Sequence, residues 1–262
     1  MRKNMEYQTL NLNINKKLAV IEFKRPEVLN ALNSQMRAEI LPAVKVAEGA
    51  ASCLVITGQG RAFCSGQDLG DRVNISEIDL ERTLRDEYLP MLNAIYSCKI
   101  PTISAVNGVA AGAGANLALA ADVVIATESA SFIQAFTRIG LIPDAGGSYF
   151  LPRQIGIAKA MGASLFAESI SALEASSMGM IWECVQDKGF EERWNQRALY
   201  LASGPTQAFT RVKTVIKDSF NNTLEEQLKL ESKLQGECGK TFDFKEGVLA
   251  FLDKRKPNFE GR

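Results

Sequence analysis

One stretch, SAVNGVAAGAGANLALAADVVIATESASFIQAFTRIGLIPDAGG from Ser104 to Gly147, limits what this chain can fold into more than any other. Thr102 to Val106 is a short apolar run with β-branched residues, and Gly108, Gly112 and Gly114 follow it closely. A buried strand is therefore predicted to pass through a glycine turn straight into a helix over Ala113 to Ala121, with a further strand and a loop beyond. So little side chain at 112–115 lets backbone N–H groups at the helix start approach a ligand closely. Their unpaired donors and the helix dipole favour negative charge there, which makes Ala113 the centre of a candidate oxyanion site. Downstream, Ile142-Pro143-Asp144-Ala145-Gly146-Gly147 sets one carboxylate among apolar neighbours, where desolvation lifts a carboxyl towards the range of a general base. The same residues have plainer readings: glycines after a strand punctuate turns, and an Asp after Pro closes a turn or caps a helix. A nucleotide fingerprint is not met, because Gly112 and Gly114 begin a G-x-G whose third position is Leu117, and no G-x-x-x-x-G-K-[ST] occurs.

The chain contains no histidine. That removes Ser-His-Asp and Cys-His arrangements, most zinc sites and the commonest general base, and leaves carboxylates, backbone donors, lysine and tyrosine to carry chemistry. Asp144 rises in rank accordingly. Cys53, Cys64, Cys98, Cys184 and Cys238 are widely spaced, odd in number and without a C-x-x-C pair, so they are read as reduced, packed thiols with no disulfide framework and no metal site. Thirty Lys+Arg against thirty Asp+Glu give no electrostatic reason to expect nucleic acid or an anionic membrane as partner. With no apolar run of about 18 residues and a polar start in place of a signal peptide, the expected location is the cytoplasm. A length of 262 residues with 46% hydrophobic residues suits one large domain, or a domain with an appendage.

Along the chain, Tyr7 to Ile14 and Leu18 to Phe23 read as strands of a hairpin turned at Asn15-Lys16-Lys17, with Leu10, Leu12 and Ile14 on one face. Ser34 is the predicted N-cap of a helix to about Glu48, with Pro42 expected to kink or stop it. Ser52 to Thr57 reads as a buried strand. The following loop, Gly58 to Leu69, is too glycine-rich and too apolar for a surface linker and is a second candidate site loop. Residues 72–98 read as a charged, solvent-facing helical segment interrupted at Pro90. Gly156 to Ala167 and Ser171 to Met178 read as helices, Trp182 to Val185 as a strand, and Phe190 to Lys254 as helix after helix. The change to all-helical pattern places the expected division between a core of residues 1–200 and a C-terminal helical region of residues 201–262.

Three stretches in order, RPEVLNALN at 25–33, GRAFCSGQDL at 60–69 and NGVAAGAGANLALAADVVIA at 107–126, together with FKEGVLAFLDKRKPNF at 244–259, resemble the crotonase superfamily of enoyl-CoA hydratases and isomerases. The resemblance runs from about Tyr7 to the end. It implies an α/β fold, a spiral of repeated β-β-α units with a C-terminal helical trimerisation region, and a coenzyme A thioester as substrate, with no separate cofactor and no metal. By position it assigns the two backbone donors of an oxyanion hole to Gln67 and Ala113; one such donor is typically worth ~3 kcal/mol in the transition state. Ser65, Gly66, Asp68, Leu69, Asn116 and Phe136 become candidate substrate contacts, although Asp68 also reads as a structural loop residue. Phe251 and Lys254 match positions that family members place against coenzyme A, Lys254 being suited to a phosphate.

Departures from the family pattern choose among activities. The positions matching the two hydratase glutamates are Asn116 and Phe136, neither of which can act as a base, whereas Asp144 falls where family isomerases carry one acidic catalyst. QAFTRIGLIPDAGGSYFLPR at 134–153 looks most like the ring 1,2-epoxyphenylacetyl-CoA isomerases of phenylacetate breakdown. The expectation is an acyl-CoA isomerase with Asp144 as its shuttling acid and base; the alternatives are an enoyl-CoA hydratase using another carboxylate and a non-catalytic acyl-CoA binder. The resemblance also implies a homotrimer or a dimer of trimers, in keeping with the many apolar residues between Leu224 and Leu252.

Overall fold

A computed structural model describes residues 6–71 and 79–262. Alternation of apolar and polar residues produces the opening hairpin, in which β1 (Leu10–Asn15) pairs antiparallel with β2 (Leu18–Phe23) across Lys16-Lys17. Helix α1 (Ser34–Ala50) follows, and its N-cap is Asn33, one residue before the predicted Ser34: the Asn33 side chain accepts from the Met36 N–H at 2.8 Å. Pro42 does not stop this helix. An interior proline costs about 3 kcal/mol, but Met36, Ile40, Ala43, Val44 and Ala47 are all buried along one face, and that burial outweighs it.

Next come β3 (Cys53–Gly58) and β4 (Ala62–Cys64), then α2 (Leu80–Thr83), a π-helical turn (Leu84–Tyr88) and α3 (Leu89–Tyr96). Here the sequence reading needs correction. Part of the segment expected to face solvent, 72–78, lies outside the described residues, but Tyr88, Met91, Ala94 and Ile95 are buried. Pro90 sits in the first turn of α3, where its missing N–H costs least, so the helix runs on past it.

The central stretch forms β5 (Thr102–Val106), β6 (Val109–Ala111) and α4 (Ala113–Leu119), so a short strand replaces the plain glycine turn that was expected. After it come β7 (Val123–Thr127), β8 (Ser131–Ile133), α5 (Gly147–Phe166, broken at Gly156), β9 (Ser169–Ser171), α6 (Ala172–Ser177) and β10 (Glu183–Val185). Four helices close the chain: α7 (Phe190–Ala202), α8 (Thr206–Asp218), α9 (Leu224–Cys238) and α10 (Phe242–Leu252).

Two sheets organise these elements. A six-stranded sheet has the order β1-β2-β3-β5-β7-β10 and a four-stranded one the order β4-β6-β8-β9. The pairs β3–β4, β5–β6 and β7–β8 each give their first strand to the large sheet and their second to the small one, which is the repeated β-β-α spiral. Strand β3 of the large sheet is buried on both faces: Leu54 and Ile56 join the main core under α1, while Cys53 and Val55 pack with Phe190 and Ala198 of α7. Helix α8 is held at the amino ends of the parallel strands, where Lys213 and Lys217 pair with Asp122 and Lys213 also donates to the Ile100 carbonyl at 2.7 Å. No helix of the described residues is long and apolar enough to cross a membrane.

Candidate active site

Strands β4, β6 and β8 are parallel neighbours, so the segments that follow them emerge at one edge of the small sheet. Gln67 comes just after β4, Ala113 just after β6, and Gln134 and Phe136 just after β8. Topology alone thus gathers the residues that the sequence reading singled out, at the carboxyl ends of strands where ligands of α/β sheets bind.

The loop after β4 is strapped down by the first motif. The Leu32 N–H donates to the Gly66 carbonyl at 2.8 Å and the Asp68 N–H to the Leu32 carbonyl at 3.1 Å. In that parallel bridge the Gln67 peptide N–H points to the opposite side, away from Leu32. Asp68 closes the strap through an ion pair with Arg25 at 2.8 Å, and the Ser65 N–H donates to the Leu29 carbonyl at 3.0 Å. Both are therefore engaged in holding the loop; Leu69 is exposed. Gly66 has φ 97°, and a Cβ there would come within 2.8 Å of the Ala111 carbonyl oxygen. Only glycine lets the two loops close to this distance. Ala113, the first residue of α4, carries one of the N–H groups that a helix start leaves without an internal acceptor. A Cβ on Gly66 would also lie 3.6 Å from the Ala113 nitrogen, so the loop after β4 meets the start of α4 here, and the ring of Phe136, itself buried, reaches to within 3.8 Å of where a Cβ on Gly112 would stand.

Asp144 is tied through its backbone to α4, the helix that Ala113 opens. One of its carboxylate oxygens is buried without a hydrogen-bond partner, and burial raises its pKa to about 6. Its backbone is fixed by Asn116, whose amide donates to the Asp144 carbonyl at 2.7 Å and accepts from Gln134 at 2.9 Å. Asn116 and Gln134 are fully buried, so Asn116 acts on the carboxylate through the chain that carries it. Local sequence gave no sign of Gln134.

A cavity of about 480 Å³ opens next to the Asp144 loop, lined by Ala145 and Gly146 of that loop, Tyr149 and Phe150 of α5, and one face of the helix 84–96. That face carries Leu84, Tyr88, Leu92 and Tyr96, a spacing of four that sets them on one side of the helix. Tyr88 is buried, with the Arg37 guanidinium 5.1 Å from its ring centre. No carboxylate is among the described residues lining this cavity, and the described residues hold no group of three or more acidic, Cys or His side chains able to bind a metal ion. Phe251 and Lys254 are exposed and do not line it. Helix α10 is instead tethered towards the other end of the sheet, since Asp243 accepts from the Glu260 N–H and Lys17 donates to the Glu260 carbonyl.

Comparison with known proteins bears on the fold and the family. The family model for enoyl-CoA hydratase/isomerase matches residues 13–262. A Rhodobacter capsulatus protein described as a probable enoyl-CoA hydratase is 58% identical over 98% of this chain and 100% of its own length. The 1,2-epoxyphenylacetyl-CoA isomerase of Escherichia coli is 43% identical over 95% of this chain and 97% of its own. Among solved structures, an enoyl-CoA hydratase from Bacillus anthracis superposes with a TM-score of 0.90 at 29% identity, covering 97% of this chain and 100% of the other. The chain belongs to the enoyl-CoA hydratase/isomerase family.

Proposed function

We propose that this protein isomerises a coenzyme A thioester, with Asp144 moving one proton and the N–H groups of Gln67 and Ala113 holding the thioester oxygen. The observation that carries this reading is a single half-buried carboxylate with one oxygen unpartnered, on a loop that lines an apolar cavity and is hydrogen-bonded to the helix that Ala113 opens. Asp144 takes a proton from carbon near the thioester, and the electron pair moves onto the thioester oxygen as an enolate. The two N–H groups stabilise that charge as it develops. With an enoyl-CoA, Asp144 then returns the same proton to another carbon on the same face, so the double bond shifts and nothing is gained or lost. With a pKa of about 6, Asp144 is mostly ionised at neutral pH yet basic enough to accept the proton. Burial rather than a neighbouring charge sets this value.

The substrate is 1,2-epoxyphenylacetyl-CoA or an enoyl-CoA. The aromatic side chains of Tyr88, Tyr96, Tyr149 and Phe150 suit a ring, and the E. coli relative supports the first choice by its name. A second reading, hydration of an enoyl-CoA, is favoured by the R. capsulatus relative. It needs a second group to handle water, and Asn116 and Phe136 occupy the positions where the family resemblance would put one. Asp144→Asn separates the readings when products from a panel of enoyl and epoxyphenylacetyl thioesters are analysed. Isomerisation should fall by roughly 10²–10⁴-fold. Near-normal turnover in the mutant would remove Asp144 from the mechanism, and binding without turnover in the wild-type protein would make it an acyl-CoA binder.

A further inference from the structure

The pocket beside Asp144 ends at a pair of tyrosines. The hydroxyls of Tyr96 and Tyr149 are 3.2 Å apart and their rings meet edge to face with centres separated by 6.0 Å. Cations hold both rings from outside: the Arg153 guanidinium lies 3.7 Å from the centre of Tyr149, and the Lys217 ammonium 4.0 Å from that of Tyr96. Behind the pair is a second cavity of about 370 Å³, lined by Lys99, Lys213, Lys217 and Asp218. Tyr96 and Tyr149 line both cavities, so they alone stand between an apolar space and a polar one. Burial and the bond to Tyr149 push the Tyr96 hydroxyl up to about 12, so this hydroxyl stays neutral at working pH.

The helix face that lines the first cavity also measures it. Tyr88, whose hydroxyl lies 3.5 Å from the Gln67 side chain, marks the end next to the oxyanion donors. Tyr96, eight residues on, marks the far end, and at 1.5 Å per residue the two are roughly 12 Å apart along the helix axis. We propose that the Tyr96–Tyr149 pair is the end wall of the acyl pocket and sets the longest acyl group this protein accepts. The proposal rests on the reading of that cavity as the acyl pocket. An acyl group longer than the space meets two rings clamped by cations, and each methylene that cannot be accommodated costs binding. Removing the Tyr149 ring joins the two cavities and moves the limit outward.

Calorimetric titration of the full chain with saturated acyl-CoA thioesters from butanoyl to dodecanoyl tests this, because saturated thioesters do not depend on which reaction is catalysed. Tyr149→Ala, and Tyr149→Leu as a milder variant, are compared with wild type after thermal melts confirm folding. The ratio of dodecanoyl to butanoyl affinity should rise by at least about tenfold in Tyr149→Ala and by less in Tyr149→Leu. An unchanged ratio in both folded variants overturns the proposal. Leu92→Trp, which fills the middle of the cavity, distinguishes the two levels of failure. If it weakens acyl binding while the Tyr149 variants leave the ratio unchanged, only the end wall falls. If it leaves every affinity unchanged, the acyl group lies elsewhere and the reading of the pocket falls with it.

Discussion

Asp144 is made reactive by what its neighbours lack. No cation or hydrogen-bond donor meets its buried oxygen, so the charged form is penalised and the pKa stands at about 6, against ~3.9 for an unstructured Asp. The folded protein thus binds this proton more tightly than the unfolded chain. Stability from this group is complete below about pH 4 and is lost as pH rises through about 6. Asp144→Asn should therefore melt higher than wild type at about pH 8 and match it near pH 4, while wild-type turnover rises through about pH 6. A melting difference independent of pH would show that burial does not set this proton affinity. Asn116 makes a separate prediction. Replacing it with Ala leaves the Gln134 amide and the Asp144 carbonyl each without their side-chain partner, at about 1–3 kcal/mol. Denaturant unfolding should show that loss. If Asp144 is the base proposed here, turnover at saturating substrate should also fall more than affinity does, because the Asn116 amide is buried and bonded to the chain that carries Asp144.

The elements that carry the site were legible to different degrees. β2 and β5 coincide with the stretches read from the sequence, because both alternate or run apolar between clear turn signals. The three motifs quoted for the resemblance also come together: 25–33 holds 60–69, and 60–69 closes on the start of α4. β6 was missed because a three-residue strand has too few side chains to display a period. The helix 80–96 was misjudged as solvated because its charges mask the stripe of Leu84, Tyr88, Leu92 and Tyr96. The contact between loop and helix start is also where one methyl group should matter. Gly66→Ala puts a Cβ 2.8 Å from the Ala111 carbonyl in a left-handed conformation, so the Gln67 donor must shift. Turnover should drop by roughly 10²–10³-fold, the loss for one oxyanion donor, with acyl-CoA binding weakened far less. Equal losses in binding and turnover would mean that the loop had collapsed.

At the scale of the whole molecule, the C-terminal helices carry an exposed apolar surface. Val212, Ile216, Leu224, Leu228, Leu249, Phe251 and Leu252 are all exposed in the single chain, more apolar surface than an isolated chain of this size should leave in water. We propose that a second and third copy cover it, and that Lys254 of one copy reaches the coenzyme A phosphates of another, since it does not line the pocket of its own chain. Light scattering at micromolar concentration should give the mass of three or six chains, and Lys254→Ala should weaken acyl-CoA binding without changing that mass. A monomer mass removes the assembly, and unchanged affinity removes the phosphate contact alone.

The fold type and the Gln67 donor came from the resemblance of whole motifs to a family, whereas local sequence determined most strand and helix periods, Ala113 as a candidate donor and Asp144 as the ranking carboxylate in a chain without histidine. The latter are local properties: strand and helix periods, glycine where backbones must touch, and an acid among apolar neighbours. The tertiary structure decided the rest. The Asn116–Gln134 clamp joins residues from a helix and from a strand end, and the cavity beside the Asp144 loop joins α3 to α5 across more than fifty positions of chain, as the Tyr96–Tyr149 contact illustrates. Such contacts leave no mark on local periodicity, because each partner's composition is satisfied equally well by solvent or by core. Only the order in which the spiral stacks its strands brings them face to face.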